Sequence, residues 1–212
     1  MATQLKTNAM VDSDCTKEQY WKLIKSVCAS CFGEAHYPHS RPYTYVEIGV
    51  ASARTFNTVA PLFDIAHAVD IGDVTGSIDP TLLGRTTVHV CTSDDYVASI
   101  SGIGVEHSAP ALDCVFIDGL HTYDQVMADF RGVFPYVREG GLVFLHDTYP
   151  ADARHLDPCL CGDVFRATET LRRDYGHLAE VLSTPADFGV TIVRKMGIDA
   201  PYVHWMKRGP GE

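Results

Sequence analysis

Apolar positions along the chain follow two rhythms. Short, nearly continuous apolar runs occur at Tyr43–Ile48, Ala66–Ile71, Thr86–Cys91, Asp113–Ile117 and Leu142–Leu145, each followed by polar or turn-forming residues. Runs of this length read as strands buried on both faces. Between them the spacing changes to three and four residues. Ala53–Leu62 and Asp94–Ile100 read as helices. From His121 to Val137, the residues Tyr123, Val126, Met127, Phe130, Val133, Phe134 and Val137 form one apolar face, which Gly140-Gly141 breaks. Upstream, Tyr20, Leu23, Ile24 and Val27 predict a helix over 16–32, with Thr16 at its start and Glu18 and Gln19 behind it. Residues 33–42 are rich in Gly, Pro, His and Ser and read as a loop.

Buried strands separated by helices imply an α/β fold with a mostly parallel sheet covered on both faces. The end of the chain differs. A helix near Val164–Arg173 precedes apolar runs at Leu178–Leu182 and Gly189–Val193, linked only by residues 183–187. Strands joined so closely must be antiparallel, because a parallel crossover needs a dozen or more residues. The chain divides into an N-terminal helix and loop (1–42, a lid or a contact with a neighbouring copy), a central α/β domain (43–195) and a tail (196–212).

Composition narrows the function. A chain of 212 residues with 46% hydrophobic and 21% charged residues suits one globular domain. The net charge is −10, and no stretch gathers Lys and Arg into a stripe. Nucleic-acid backbones and anionic membranes both need concentrated positive charge, so neither is an expected partner. A small-molecule substrate is the expected one. The first residues carry no apolar signal segment and no run is long enough to span a bilayer, which points to the cytoplasm. Seven cysteines, an odd number scattered through helices and strands, read as free thiols.

In open α/β sheets, ligands sit beyond the carboxyl ends of the strands. The first strand runs into Glu47-Ile48-Gly49-Val50-Ala51-Ser52-Ala53-Arg54-Thr55. Gly49 allows a tight turn, and Glu47 is costly to bury without a partner. Asp70 ends the second strand, 21 residues after Gly49 (70 − 49), the distance at which an acid meets ribose hydroxyls in nucleotide-binding units. Asp118 and His121 follow the fourth strand, with His121 in the first turn of the next helix. His146 and Asp147 end the fifth. Four titratable groups on one rim is a pattern found at working sites.

Several segments together carry a resemblance. VEIGVASARTF, DCVFIDGLHTYDQVMADF, GGLVFLHDTYP, CGDVFRATETLRR and FGVTIVRK are similar to successive motifs of the class I S-adenosylmethionine-dependent methyltransferases. The FIDGxHxY and HDT pair resembles the small-molecule O-methyltransferase group, which includes macrolide-sugar O-methyltransferases and cephalosporin-hydroxylase-like proteins. The resemblance implies a Rossmann-like fold with a seven-stranded sheet ending in the antiparallel hairpin, and O-methylation of a sugar, phenol or natural product. It implies that Glu47 and Gly49, with Ala51 in the same loop, line the methionine and ribose portions. Asp70 would bind the ribose, Ser93 and Asp94 would border the adenine, and Asp118 would lie at the donor as well as the reaction end. Ala53 stands where the family has Gly; donor binding is retained if position 53 is already helical, since alanine does not favour φ > 0.

Methyl transfer from a sulfonium needs an in-line nucleophile that sheds its proton. Histidine suits that proton transfer, and the resemblance makes His121 the general base, with His146 as its rival. It also implies a divalent cation held by Asp118 and Asp147, with His146 where the family often has an acid. That exchange lowers affinity for Mg²⁺ and favours a softer metal. A second metal candidate is Cys28-x₂-Cys31-x₄-His36-x₂-His39, four zinc-competent side chains at intervals tighter than common zinc modules use. His155, Cys159 and Cys161 form a weaker cluster in the long segment Thr148–Asp163, which reads as a lid or substrate wall. The competing functions are an NAD(P)-linked oxidoreductase, disfavoured by the absent GxGxxG and by the hairpin, and a non-catalytic ligand-binding protein, disfavoured by the intact acid–histidine set. A homo-oligomer is compatible with an N-terminal segment long enough to cover a neighbour.

Overall fold

A computed structural model describes residues 20–32, 41–101 and 111–197. The described residues form helix α1 (Tyr20–Phe32), strand β1 (Thr44–Ile48), α2 (Arg54–Val59), β2 (Ile65–Asp70), β3 (Thr86–Val90), α3 (Ser93–Ser101), β4 (Leu112–Ile117), α4 (Tyr123–Val133), β5 (Val137–Leu145), α5 (Phe165–Tyr175), β6 (Ala179–Thr184) and β7 (Val190–Lys195). The seven strands make one sheet in the order β3-β2-β1-β4-β5-β7-β6. Neighbours from β3 through β5 pair in parallel, and β7 runs antiparallel to both β5 and β6. The mostly parallel sheet and its antiparallel close are those read from the apolar runs, and the seven-stranded Rossmann-like order is the one the resemblance implies.

The sheet carries an apolar core on each face. One gathers Tyr96, Met127, Phe130 and Leu171 from α3, α4 and α5. The other gathers Ile24, Cys28 and Phe32 of α1 with Tyr45, Phe56 and Phe63. Strand order reverses between β1 and β4, the topological switch where two outward-going connections leave a crevice for a ligand. At the opposite edge of the sheet, Asp113 is fully buried. It accepts from Arg41 (2.7 Å) and from the Thr44 amide (2.8 Å), and pairs with Arg138.

Three local readings change. The helix expected over His121–Val137 is shorter at both ends. Thr122 is extended and its hydroxyl accepts from the Gln125 amide, so α4 starts at Tyr123 and His121 lies in the preceding loop. Pro135 has no N–H to continue the ladder, and the chain passes through a 3₁₀ turn, Phe134–Tyr136, into β5. Gly140-Gly141 is therefore not a boundary. It lies inside β5, where Val137 to Leu142 spans only Leu112 to Cys114 of β4, an irregularity that Gly140 allows with φ +78°. Third, Ala53 is not helical: it precedes α2 in the left-handed region at φ 56°, and Ala51 does the same at φ 46°.

An L-residue in the left-handed region is strained by about 1–2 kcal/mol. Ala51 is exposed, so glycine there loses no packing. Ala51→Gly should stabilise the fold by about 0.5–1 kcal/mol, raising Tm by about 2–3 °C. A thermal melt with Tm unchanged or lowered would mean that the turn does not hold this geometry.

Candidate active site

The parallel register sets the site. Ile48 pairs with Ile117, and Ile117 with Leu145, so the next residues of β1, β4 and β5 emerge side by side. The ladder continues one step further: the Asp118 amide donates to the Ile48 carbonyl (2.9 Å) and the His146 amide to the Ile117 carbonyl (3.1 Å). Gly49 then turns at φ +84° so close to Asp118 that a Cβ would collide with the Asp118 carbonyl. Only glycine fits here.

Two adjoining cavities open on this edge. The larger, about 540 Å³, is lined by Ile48, Val69, Asp70, Ser93, Asp94 and Gln125, among others. The smaller, about 360 Å³, is lined by Tyr20, Glu47, Arg54, His146, Asp147 and Phe188, among others. Gly49, Ala51, Asp118 and His121 border both. All the residues expected at the donor therefore line one cavity or the other. Asp70 also braces the loop after β1. Its Oδ2 accepts from the Val50 and Ala51 amides and its Oδ1 from the Gly72 amide, each at 2.9 Å. The carboxylate pins the left-handed turn while leaving acceptor capacity toward the cavity. Ser93 and Asp94 accept from the Gln125 side-chain amide.

The acids and imidazoles sort into two groups. His121 Nε2 lies 3.4 Å from Asp147 Oδ2 and 3.9 Å from Asp118 Oδ1. Asp118, His121 and Asp147 each offer a ligand atom within 4.8 Å of the others, a set of two hard oxygens and one imidazole nitrogen that fits a divalent cation. No other such group occurs among the described residues. His146 faces elsewhere. Its Nδ1 is 3.1 Å from Asp118 Oδ1 and its Nε2 is 3.0 Å from the Asp187 carbonyl in the β6–β7 turn. Both partners are acceptors, so both ring nitrogens must carry protons. Burial alone would lower the pKa of this ring; the hydrogen bond and charge of Asp118, with Asp147, outweigh it and raise the value to about 9. His146 is thus an imidazolium already committed at both ends, and Asp118, His121 and Asp147 are the cluster left open to a ligand.

Burial raises the Glu47 carboxyl well above its ordinary range, and Asp118 adds to the effect, while a 2.5 Å hydrogen bond from the Tyr45 hydroxyl opposes it. Burial likewise raises Asp147, which occupies the left-handed region at φ 59°.

Residues 46–148 match the family model described as a methyltransferase domain. That segment is similar to a methyltransferase domain. No curated protein sequence matches it. Among solved structures, a Corynebacterium glutamicum protein superposes with a TM-score of 0.63 at 17% identity, covering 85% of this chain and 82% of its own. The O-methyltransferase TomG of Streptomyces achromogenes, involved in tomaymycin synthesis and solved with S-adenosylmethionine, gives 0.60 at 18% identity, covering 84% and 80%. The MycE methyltransferase of the mycinamycin pathway, solved with Mg, S-adenosylhomocysteine and mycinamycin VI, gives 0.57 at 19%, covering 82% of this chain and 49% of its own. At these identities the likeness is one of fold.

Two residues that the sequence reading does not place at this site also border it. Tyr20, in the first turn of α1, packs at a 33° tilt against the His146 ring (4.0 Å between centroids) and lies 3.4 Å from Asp118 Oδ2 through its hydroxyl. Cys161 lies beside Asp147, and burial followed by that negative charge pushes its thiol up to about 12. Cys159, Leu160 and Cys161 wall the smaller cavity, so the segment after β5 does border the site. Its His155 is hydrogen-bonded to Asp152 instead of joining the two cysteines. Of the zinc candidate, Cys28 is buried 3.6 Å from the Cys114 thiol and Cys31 is exposed, while His36 and His39 lie outside the described residues. No helix among the described residues is long and apolar enough to cross a membrane.

The raised pKa of His146 has a pH signature. The ring contributes stability in full below its unfolded value of 6.5, and the contribution is lost as pH rises through about 9. A shift of this size corresponds to on the order of 3 kcal/mol at full extent. The methyltransferase should therefore lose stability from pH 6.5 to 9 relative to His146→Gln. Urea titrations across that window would expose a neutral ring as parallel stability curves.

Proposed function

We propose that the protein is an S-adenosylmethionine-dependent O-methyltransferase acting on a hydroxyl of a small molecule. The observation that carries this reading is the meeting of the two cavities at Gly49, Ala51, Asp118 and His121. The larger cavity, with Asp70 beyond β2 and Ser93 and Asp94 at the start of α3, suits the adenosine. The smaller, with the acid–histidine cluster, suits the sulfonium end and the acceptor. TomG and MycE, which share the fold, were solved with the donor or its product, and this supports the assignment.

S-adenosylmethionine supplies a methyl group on a positively charged sulfur. The chain's own residues must orient the acceptor and take up its proton. His121, bordering both cavities, accepts the hydroxyl proton; Asp118 and Asp147 stabilise the imidazolium that results. The His146 imidazolium holds Asp118 in place, and Tyr20 roofs His146. The acids also provide a negative surface beside the sulfonium.

A second reading is favoured by the same cluster. If Asp118, His121 and Asp147 hold a divalent cation, it would lower the pKa of the acceptor hydroxyl and fix its position. His121 Nε2 cannot both bind a cation and take the proton.

The primary experiment is a panel of phenols, sugars and hydroxylated natural products, with release of S-adenosylhomocysteine as the readout. An O-methylated product identified by mass supports the proposal; absence of donor binding by calorimetry removes it. Asp70→Ala should raise the Kd of S-adenosylhomocysteine about 10- to 150-fold, the loss of a charged hydrogen-bond acceptor; an unchanged Kd takes Asp70 out of the site. With an accepted substrate in hand, His121→Ala should lower kcat by about 10²–10⁴ at nearly constant donor affinity. Full activity after exhaustive EDTA treatment favours proton transfer by His121, whereas loss of turnover restored by a divalent cation favours the metal.

A further inference from the structure

Three thiols on the α1 face of the sheet take no part in the site described above. Cys28 of α1 and Cys114 of β4 are both fully buried, and their sulfurs lie 3.6 Å apart. Cys31 follows Cys28 by one helical turn and is exposed. It lies near enough to interact electrostatically with both of them. A lone buried thiol often does no more than pack. Here two sulfurs 86 residues apart in sequence touch, and a third stands at the surface beside them. A disulfide needs the contact shortened by about 1.5 Å, a movement that side-chain rotation supplies.

The bond would join the two elements that meet at the acid–histidine cluster. Cys114 precedes Asp118 by four residues, about 13 Å along a strand, and Tyr20 precedes Cys28 by eight, about 12 Å along a helix. The Tyr20 hydroxyl lies 3.4 Å from Asp118 Oδ2. The thiol pair and the Tyr20–Asp118 contact are thus two ties between the same helix and strand, spaced alike on both. With the thiols free, α1 rests on the sheet by packing, through Ile24, Cys28 and Phe32.

We propose that Cys28 and Cys114 form a reversible disulfide that fastens α1 to β4, with Cys31 as the thiol through which a hydroperoxide reaches them. The Cys31 sulfur takes an oxygen atom from hydrogen peroxide, giving a sulfenic acid and water. The Cys28 thiol attacks that sulfur, its proton leaves with the hydroxyl as water, and a Cys28–Cys31 bond forms. Cβ atoms one helical turn apart are separated by about 5–6 Å, more than a relaxed disulfide allows, so this bond is strained. The Cys114 thiol then gives up its proton and attacks the Cys28 sulfur, and Cys31 leaves as the thiolate and takes up that proton. Two thiols and one peroxide become one disulfide and two waters. Burial holds the Cys31 and Cys114 thiols above their ordinary values, so both stay protonated and the pair persists as thiols until an oxidant arrives. The bond does not depend on what the two cavities hold.

The test uses the folded wild type, fully reduced and then exposed to hydrogen peroxide. Remaining thiols are blocked with iodoacetamide in urea, and linked peptides are identified by mass after digestion without reductant. Cys28 and Cys114 should appear linked, two hydrogens lighter than the separate peptides, and dithiothreitol should release them. The linked protein should melt about 5–15 °C higher, because an 86-residue loop is closed in its unfolded chain. Cys31→Ser should slow the linkage about 10-fold or more, since the two remaining thiols are shielded from the peroxide. Cys31 oxidised to the sulfinic acid while Cys28 and Cys114 remain alkylated overturns the disulfide, as does a Cys28–Cys31 bond as the end product or a linkage that forms only in urea. An undiminished rate in Cys31→Ser overturns the entry thiol, and a linked protein with an unchanged Tm overturns the fastening of α1.

Discussion

The backbone contact between Gly49 and Asp118 is the constraint on which the site depends. Strand β1 ends so close to the tip of β4 that no side chain fits between them, and the chain must leave through a left-handed residue. The consequences follow along the turn. Ala51 and Ala53 also take positive φ, and the amides of Val50 and Ala51 point at Asp70, whose carboxylate closes the loop from β2. The turn then stands as a low wall between two cavities. A less intimate contact would separate the residues lining the larger cavity from the acid–histidine cluster of the smaller one.

Most of the architecture was legible because it is written in apolar runs. Strands buried on both faces stand out in sequence, and a five-residue link between the last two leaves no alternative to antiparallel pairing. Acids such as Asp70 and Asp118 were legible because a charged residue at the end of an apolar strand is expensive unless it has work to do. Other features carried no such mark. Tyr20 shares helical spacing with Leu23, Ile24 and Val27, so the sequence shows a core tyrosine, and only the packing of α1 brings its hydroxyl to Asp118. His121 and His146 each lie near an acid in sequence. What separates them is the Asp187 carbonyl, 41 residues beyond His146, which occupies the second nitrogen of one ring and not the other. The left-handed turn at Ala51 carried no mark, since alanine does not favour that conformation, and at Ala53 the only sign was that the family has Gly there.

Strand β4 holds a carboxylate at each end, and the two are treated differently. Asp113 meets two arginines, Arg41 and Arg138, and a backbone amide. Asp118 meets His146 and His121, whose charge depends on protonation. The first arrangement braces the closed end of the sheet. The second sits where a ligand would enter and is built from groups that exchange protons. The brace and the acid–histidine cluster are thereby placed about one strand length apart.

The turn between β6 and β7 lies at the periphery, in the part of the sheet farthest in sequence from the turn after β1. Its residues Asp187 and Phe188 both have positive φ. In that shape the turn directs the Asp187 carbonyl to His146 and places Phe188 against the smaller cavity. An edge hairpin is ordinarily free to change length and composition, because little besides solvent depends on it. Here the hairpin is bound to the acid–histidine cluster by a main-chain atom, which no side-chain replacement can remove but any insertion would move. Exchange of this turn between related enzymes would therefore carry a change of chemistry with it, and its length is expected to drift far less than its surface position suggests.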